Sequence, residues 1–140
     1  MKKDTSKLLE EIGITADFRS FYEENKSELQ TKTLSVLLGE LLEKKQIKKS
    51  EAIRRSELSE IYAYQIFSGV RVPERKKLLS LAIGMGLELE ETQGLLKCAG
   101  YSPLYVKLPF DSVIIYGIHK KLSVMEINEL LYEYCEEILK

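Results

Sequence analysis

The chain has 140 residues, of which 44% are hydrophobic and 31% charged, and its formal net charge is -1. This composition is typical of a folded domain that can bury a core. No apolar run approaches the roughly 18 residues that a membrane span needs. Met1–Asp4 leads into an amphipathic stretch and not into the apolar core of a signal peptide. We therefore expect a cytoplasmic protein with no membrane partner.

Cysteine and histidine are too few for common metal chemistry. Two cysteines and one histidine cannot form a four-ligand zinc site without carboxylates. Cys98 and Cys135 lie in apolar helical surroundings, which predicts buried, reduced thiols. His119 is a lone helical histidine, and Gly84-Met85-Gly86 stands at a helix end and not after a strand. We expect no catalytic residue, no metal and no cofactor, and therefore no enzyme.

Apolar residues recur at three- and four-residue spacing along almost the whole chain, and the strict alternation of strands is absent. The predicted fold class is therefore all-α. In chain order the predicted helices are Ser6–Ile12, Thr15–Gln30, Thr33–Lys45, Ser50–Ser56, Ser59–Ser68, Glu74–Met85, Leu89–Ala99, Asp111–Lys121 and Ser123–Leu139.

Aromatic residues form apolar stripes near both ends of the chain. The N-terminal extension, residues 1–31, has an apolar stripe available for packing on the rest of the chain or for a dimer surface; it comprises Phe18, Phe21, Tyr22 and Leu29. The C-terminal region, residues 88–140, has an aromatic stripe that is more typical of a core than of a ligand pocket; it comprises Tyr116, Tyr132 and Tyr134.

The second half of the chain shows an imperfect internal repeat with a period of 35 residues; duplication and a chance match of two amphipathic segments are the alternative explanations. Residues 77–100 align with residues 112–135, so that Leu87 meets Leu122 and Glu91 meets Glu126. Each copy reads as helix, short turn, helix. Since neither copy can bury its apolar face alone, we expect two helical hairpins that stack on each other.

Charge is concentrated in the middle of the chain. From Lys32 to Lys77, eleven basic and six acidic residues give a net charge of +5, whereas ten basic and sixteen acidic residues elsewhere give -6. A segment that approaches a polyanion needs such a local excess, because neutralised phosphates supply most non-specific affinity. Lysine-rich helix faces that are simply solvated are the alternative explanation.

The spacing inside residues 32–87 favours the first explanation. Ser59 is a good N-cap after a three-residue break, Ala63 is small enough for a close helix crossing, Gly69 ends the helix, and Pro73 delays the next one. Together with these residues, further positions form a pattern of apolar, small and turn residues. The positions of this pattern are Ile47, Ala52-Ile53, Leu58-Ser59, Tyr62–Ile66, Gly69, Arg71, Pro73 and Leu78–Leu87.

Over Leu34–Leu87 this pattern resembles the phage-repressor (Xre) type of helix-turn-helix, in which five helices pack around one core and the third is the recognition helix. The flanks Glu90–Gln93 and Ala99–Tyr105 resemble those of bacterial regulators with extra helices on both sides. The resemblance implies a helix-turn-helix module at residues 32–87, between the N-terminal extension and the C-terminal hairpins.

The resemblance also implies that the helix Ser59–Ser68 enters the major groove, where its first side chains reach base edges. Gln65 would pair with adenine, Ile61 would touch a thymine methyl group, and Glu60 would accept a hydrogen bond from cytosine. The implied base-facing residues are Glu60, Ile61, Tyr64 and Gln65. The implied phosphate-facing residues are Lys48, Lys49, Ser59, Arg71 and Arg75. For Tyr62, packing against neighbouring helices is the stronger expectation.

Three positions depart from the family's pattern. Glu57 stands where the family often has a glycine in the turn, and Phe67 stands where a glutamate often pairs with an arginine of the first helix. Glu60 places a negative charge where many relatives have a basic or neutral side chain, and its repulsion of phosphate opposes binding.

Two functions from different classes follow. The first is a sequence-specific regulator of transcription that binds double-stranded DNA and whose C-terminal helices dimerise or sense a protein partner. Two-fold DNA sites favour a homodimer. The second is a protein-interaction adaptor that kept the helix-turn-helix scaffold and lost DNA affinity. Salt dependence separates them, because only a phosphate binder loses affinity steeply as salt rises.

Overall fold

Helices account for all the regular structure in the part of the chain that the computed structural model describes, residues 4–26, 29 and 32–140. No strand occurs among these residues, so the all-α prediction is confirmed. The helices are α1 (Thr5–Ile14), α2 (Phe18–Asn25), α3 (Leu34–Lys45), α4 (Lys49–Ser56), α5 (Glu60–Ser68), α6 (Arg75–Gly84), α7 (Leu89–Cys98), α8 (Pro109–Lys120) and α9 (Val124–Cys135).

Local side-chain chemistry sets several helix ends. The hydroxyl groups of Thr33, Ser59 and Ser123 accept backbone N–H groups in the first turns of α3, α5 and α9, at 3.2, 3.3 and 3.1 Å. Gly69 ends α5 in the left-handed conformation, with φ of 85°. Glu57 ends α4 with φ of 60°, which is the conformation that glycine adopts more readily.

The chain divides into two compact units, Met1–Lys32 and Thr33–Lys140. The first boundary lies one residue from the predicted one. The predicted boundary at 87/88 does not divide the structure, because α7 contacts both α3 and α6. The predicted module and the C-terminal region therefore share one unit.

The first unit contains α1 and α2, which contact each other. Here α1 continues through Gly13, where the sequence predicted its end, and α2 starts at Phe18 and not at Thr15, because Asp17 caps it by accepting the Arg19 N–H at 3.1 Å. Residues 27, 28 and 30 of the predicted helix lie outside the described residues. Within this unit Phe21 of the apolar stripe is buried, whereas Phe18, Tyr22 and Leu29 are exposed.

The second unit has one continuous core to which all of its helices contribute. As predicted, Ala63 and Ile66 point inward from α5, and both are almost fully buried. The fully buried side chains of α3, α6, α7, α8 and α9 that meet in this core include Leu38, Leu78, Leu79, Leu95, Leu96, Ile114, Ile127 and Leu131.

The two copies of the repeat have the same turn. In α6–α7 the Leu87 N–H donates to the Ala82 carbonyl at 3.1 Å, and in α8–α9 the Leu122 N–H donates to the Gly117 carbonyl at 2.9 Å. Gly86 and Lys121, which the period of 35 aligns, both have positive φ. The hairpins also contact each other, α7 against α8 and α6 against α9. The two helical hairpins therefore pack against each other.

The C-terminal region differs from the predictions in its helix bounds, its cysteines and its tyrosines. Helix α8 starts at Pro109, two residues before the predicted Asp111, because proline is well tolerated in the first turn of a helix. Helix α9 ends at Cys135, and not at Leu139, because the tail folds back and the Leu139 N–H donates to Asn128 Oδ1 at 2.8 Å. Cys98 and Cys135 form no disulfide but are half-buried and not fully buried. The tyrosine stripe is not core: Tyr116, Tyr132 and Tyr134 are exposed by 51%, 72% and 70%.

Candidate nucleic-acid interface

Helix α5 has one face in the core and one face in solvent. Ala63, Ile66 and Phe67 are buried at three- and four-residue spacing, so the residues between them point outward. Ile61 lies in the first turn and is 76% exposed. An isoleucine in that position contributes little to folding, because its side chain stays in water.

The four predicted base-facing residues lie together on this outer face. Glu60, Ile61, Tyr64 and Gln65, with Lys49 from α4 and Ser68, line a surface groove of about 530 Å³. We call this set of six residues the α5 groove. Its floor combines apolar side chains with amide, carboxylate and ammonium groups, so it offers both hydrogen-bonding and apolar contacts to a ligand.

The loop after α5 brings Arg71 back to Gln65. The backbone N–H groups of Val70 and Arg71 donate to the Gln65 carbonyl at 3.0 and 3.2 Å, and the Arg71 side-chain Nε donates to Gln65 Oε1 at 3.0 Å. The Arg71 guanidinium also lies 5.3 Å from the centroid of the Tyr62 ring. Gln65 and Arg71 therefore act as one paired group at the edge of the α5 groove.

Helix α5 is held to its neighbours by two further contacts. The Ser35 hydroxyl of α3 donates to the Phe67 carbonyl at 2.6 Å, and Lys49 Nζ lies 5.4 Å from the centroid of the Phe67 ring. Phe67 is buried and packs in the core. The outer face of α5 is thus presented from a fixed position.

Four cations near the α5 groove form no ion pair with any described carboxylate. These are Lys48, Lys49, Arg71 and Lys77. Five other basic residues between Lys32 and Lys77 form ion pairs with carboxylates. Lys44 and Lys45 pair with Glu91, Arg54 and Arg55 with Glu51, and Lys76 with Glu137.

The predicted phosphate-facing residues do not all lie in the same environment. Lys48, Lys49 and Arg71 are exposed, and Ser59 keeps a donor free, because its oxygen only accepts the Tyr62 N–H. Arg75 is different: its guanidinium holds the buried Asp111 carboxylate at 3.2 and 3.1 Å and donates to two backbone carbonyls. This engagement leaves Arg75 unsuited to a phosphate.

Sequence reasoning missed Lys77. Its Nζ lies 5.4 Å from the Tyr62 ring centroid, on the same tyrosine as Arg71. The run Arg75-Lys76-Lys77 was the available signal, but only the structure distinguishes its three members. Tyr62 is half-buried and packs against the core, in agreement with the expectation for it.

Two carboxylates oppose these cations. Glu60 lines the α5 groove, and Glu57 occupies the turn between α4 and α5; both are exposed and neither forms an ion pair with a described residue. The described residues contain no group of three or more potential metal ligands. None of the helices in the described ranges has the length and apolar character needed to cross a membrane.

Comparison of the chain with protein-family models, with curated proteins and with solved structures finds no match.

Proposed function

We propose that this chain is a sequence-specific regulator of transcription that binds double-stranded DNA. In this proposal α3–α7 are the five helices of a repressor-like core, α4 and α5 are its helix-turn-helix, and α5 reads the major groove. The observation that carries the proposal is the α5 groove: four outward side chains of one helix lie beside four cations that form no ion pair with a carboxylate of the described residues.

The cations supply the sequence-independent part of binding. Lys48, Lys49, Arg71 and Lys77 can each approach a phosphate without first breaking an ion pair to any carboxylate within residues 4–26, 29 and 32–140. Each neutralised phosphate changes the slope of log affinity against log salt by about -0.9. We therefore expect a slope of about -3 to -4 for one copy of the chain.

The pairing of Gln65 with Arg71 alters the expected base. An adenine edge offers one acceptor and one donor, whereas guanine offers two acceptors. Arg71 already uses one lone pair of Gln65 Oε1 and itself only donates, so the pair presents mainly donors. Guanine therefore suits it better than the adenine that Gln65 alone would favour. Ile61 and Tyr64 add apolar contacts that suit a thymine methyl group.

The test is a fluorescence-anisotropy titration against a pool of random duplexes at low and near-physiological salt, with sequencing of the retained DNA. We expect an enriched motif containing guanine and a steep loss of affinity as salt rises. Lys49→Ala should weaken binding to all sequences alike and reduce the magnitude of the slope by about 1. Absence of binding at low salt would overturn the proposal.

Glu60→Lys is the sharpest single variant. It replaces a carboxylate in the α5 groove by a cation, so we expect tighter DNA binding, by about tenfold at low salt, because repulsion of phosphate becomes attraction. Glu90→Lys is the matched control, since it makes the same charge change at an exposed position of α7, outside the α5 groove. Equal effects of the two variants would show only a response to net charge.

A protein-interaction adaptor is the second candidate. The two carboxylates Glu57 and Glu60 favour it, because they form no ion pair with a described residue and stand beside the surface that DNA would approach. In this case the wild-type chain binds no duplex at any salt concentration, and Glu60→Lys does not create specific binding. The C-terminal helices would then supply the partner surface.

A further inference from the structure

The loop between α5 and α6, residues 69–74, carries Arg71 and is held near both of its ends. Near its start, the Arg71 N–H donates to the Gln65 carbonyl of α5 at 3.2 Å. Near its end, the Pro73 carbonyl accepts a hydrogen bond from the Tyr101 hydroxyl at 2.5 Å. Pro73 is buried, whereas Arg71 is exposed. The Tyr101 hydroxyl therefore links the loop that carries Arg71 to the segment that follows α7.

Tyr101 is itself fixed, because α7 ends in a Schellman motif. Gly100 has a left-handed backbone, with φ of 82°, and its N–H donates to the Lys97 carbonyl at 3.0 Å. The Tyr101 N–H donates to the Leu96 carbonyl at 2.9 Å, which completes the motif. The Tyr101 side chain packs against the core of the second unit. A tyrosine that is held at its backbone and along its ring presents its hydroxyl to Pro73 from a fixed position.

Side chains of three helices hold the backbone of residues 101–105. Gln93 of α7 donates to the Leu104 carbonyl at 2.9 Å and accepts from the Leu104 N–H at 2.6 Å. Asp111 of α8 accepts from the next N–H along the chain at 2.9 Å. Arg75 of α6 donates to the two carbonyls before Leu104, at 3.2 and 3.3 Å. Because its backbone groups are bonded to side chains of the core helices, this irregular segment is a firm support for the loop.

The Gln65–Arg71 pair depends on where this loop lies. Arg71 Nε donates to Gln65 Oε1 at 3.0 Å from an exposed position. A long side chain loses rotamer freedom when it holds one partner in water, so a single hydrogen bond of this kind gains little by itself. A fixed loop backbone lowers that cost, because it keeps the guanidinium within reach of its partner. If the loop moved away, Gln65 would present its amide to a base without Arg71.

We propose that Tyr101 is a positioning residue for base recognition. Through the Pro73 carbonyl it holds the loop so that Arg71 stays paired with Gln65, and it thereby sets the preference for guanine over adenine. Tyr101 acts through the loop and not by contact with a base. The base preference rests on the proposed DNA binding, whereas the placement of Arg71 is a property of the free chain.

The first test uses the full chain without DNA and observes arginine side-chain Nε–H groups by heteronuclear NMR. We expect a slowly exchanging Arg71 resonance in the wild type, assigned by its loss in Arg71→Lys. Tyr101→Phe keeps the ring and removes only the hydroxyl, so the Arg71 Nε–H should exchange with water about fivefold faster, as expected for the loss of one hydrogen bond. Tyr105→Phe is the matched control, since it removes a hydroxyl from the same segment at a side chain that is 53% exposed.

The second test measures the base preference by anisotropy titration of the enriched duplex and of the same duplex with its guanine replaced by adenine. Tyr101→Phe should reduce the ratio of the two affinities about fivefold, because the Gln65–Arg71 pair is then less often formed. The slope of log affinity against log salt should stay unchanged, since no cation is removed. A purely structural role of Tyr101 would lower the melting temperature and both affinities alike, and would leave their ratio unchanged.

The two measurements separate this proposal from the proposed function. Wild-type exchange of the Arg71 Nε–H in Tyr101→Phe would overturn the proposal, and so would faster exchange with an unchanged preference for guanine. A wild type that binds no duplex removes the base preference together with the proposed function, and the NMR result then still decides whether Tyr101 positions Arg71.

Discussion

At the scale of single residues, Gly84 shows how closely α4 and α6 cross. A Cβ atom on Gly84 would lie 2.6 Å from the Ala52 carbonyl oxygen and 2.7 Å from the Ser56 nitrogen, both backbone atoms of α4. Real Cβ atoms do not approach backbone so closely, and backbone cannot rotate away as a side chain can. The position of α4, which precedes the turn into α5, therefore depends on the absence of a side chain here.

Gly84→Ala should consequently destabilise the protein by about 3 kcal/mol, because α4 and α6 must separate to admit the methyl group. Gly94→Ala is the control, since Gly94 lies in α7 with nothing within 4 Å of its added Cβ. That variant should stabilise the protein by about 0.5–1 kcal/mol through helix propensity. Urea unfolding of both variants measures the difference. Equal stability of the two would contradict the close crossing.

At the scale of elements, an ion-pair cluster joins α3 to α7. Glu91 accepts from Lys45 Nζ at 2.7 Å, from Lys44 Nζ at 2.9 Å and from the Glu88 N–H at 2.8 Å, and its side chain is only 11% exposed. Burial by itself raises the pKa of Glu91, but the hydrogen bonds from Lys45, Glu88 and Lys44 outweigh it and lower the pKa to about 2. The same pairing raises the pKa of Lys44.

This lowered pKa predicts a loss of stability in acid. A carboxyl group whose pKa is lower in the folded chain stabilises it above the ordinary pKa of 4.5, and the contribution is lost as the pH falls toward 2. Glu91→Gln should cost about 1–2 kcal/mol at pH 7, after allowance for solvent screening, and nothing near pH 2. Glu90→Gln is the control at an exposed neighbouring position. Thermal unfolding from pH 2 to 7 measures both; an unchanged acid dependence in Glu91→Gln would contradict the assignment.

At the scale of the whole second unit, one polar network ties α6 to the segment between α7 and α8. Arg75 donates to both oxygens of the buried Asp111 and to the carbonyls of Ser102 and Pro103, and the Tyr105 N–H also donates to Asp111, at 2.9 Å. Beside it the Tyr101 hydroxyl donates to the Pro73 carbonyl at 2.5 Å. Pro73 follows Arg71 by two residues, so the network also anchors the loop that carries the Gln65–Arg71 pair.

Arg75→Ala should destabilise the protein by about 3–5 kcal/mol, because it leaves the Asp111 carboxylate buried without its cation. The double variant Arg75→Ala/Asp111→Ala should lose less than the sum of the two single variants, as expected for coupled residues. Lys76→Ala is the surface control, and loss of its pair with Glu137 should cost at most about 1 kcal/mol. Chemical unfolding gives all four values. Additive losses would contradict the coupling.

The sequence by itself determined the fold class, the helix order and most helix ends to within one residue, because these depend on signals within one or two turns. The starts of α3, α5 and α9 were predicted from serine and threonine N-caps, and the end of α5 was predicted from Gly69. The apolar periodicity correctly predicted that Ala63 and Ile66 are buried. The period of 35 residues pointed to two helical hairpins, and these have the same turn. It also grouped the side chains that form the outer face of α5.

Only the tertiary structure decided which side chains are exposed on the outer helices and which cations are already paired. Periodicity shows that a helix has an apolar face but not what covers it, so the tyrosines of α8 and α9 were expected in the core and lie in solvent. From the sequence alone, Arg71 and Arg75 had the same predicted role. In the structure Arg75 pairs with Asp111, 36 residues away, whereas Arg71 donates to Gln65. Partners so distant along the chain leave no local signal, because packing of the helices alone brings them together.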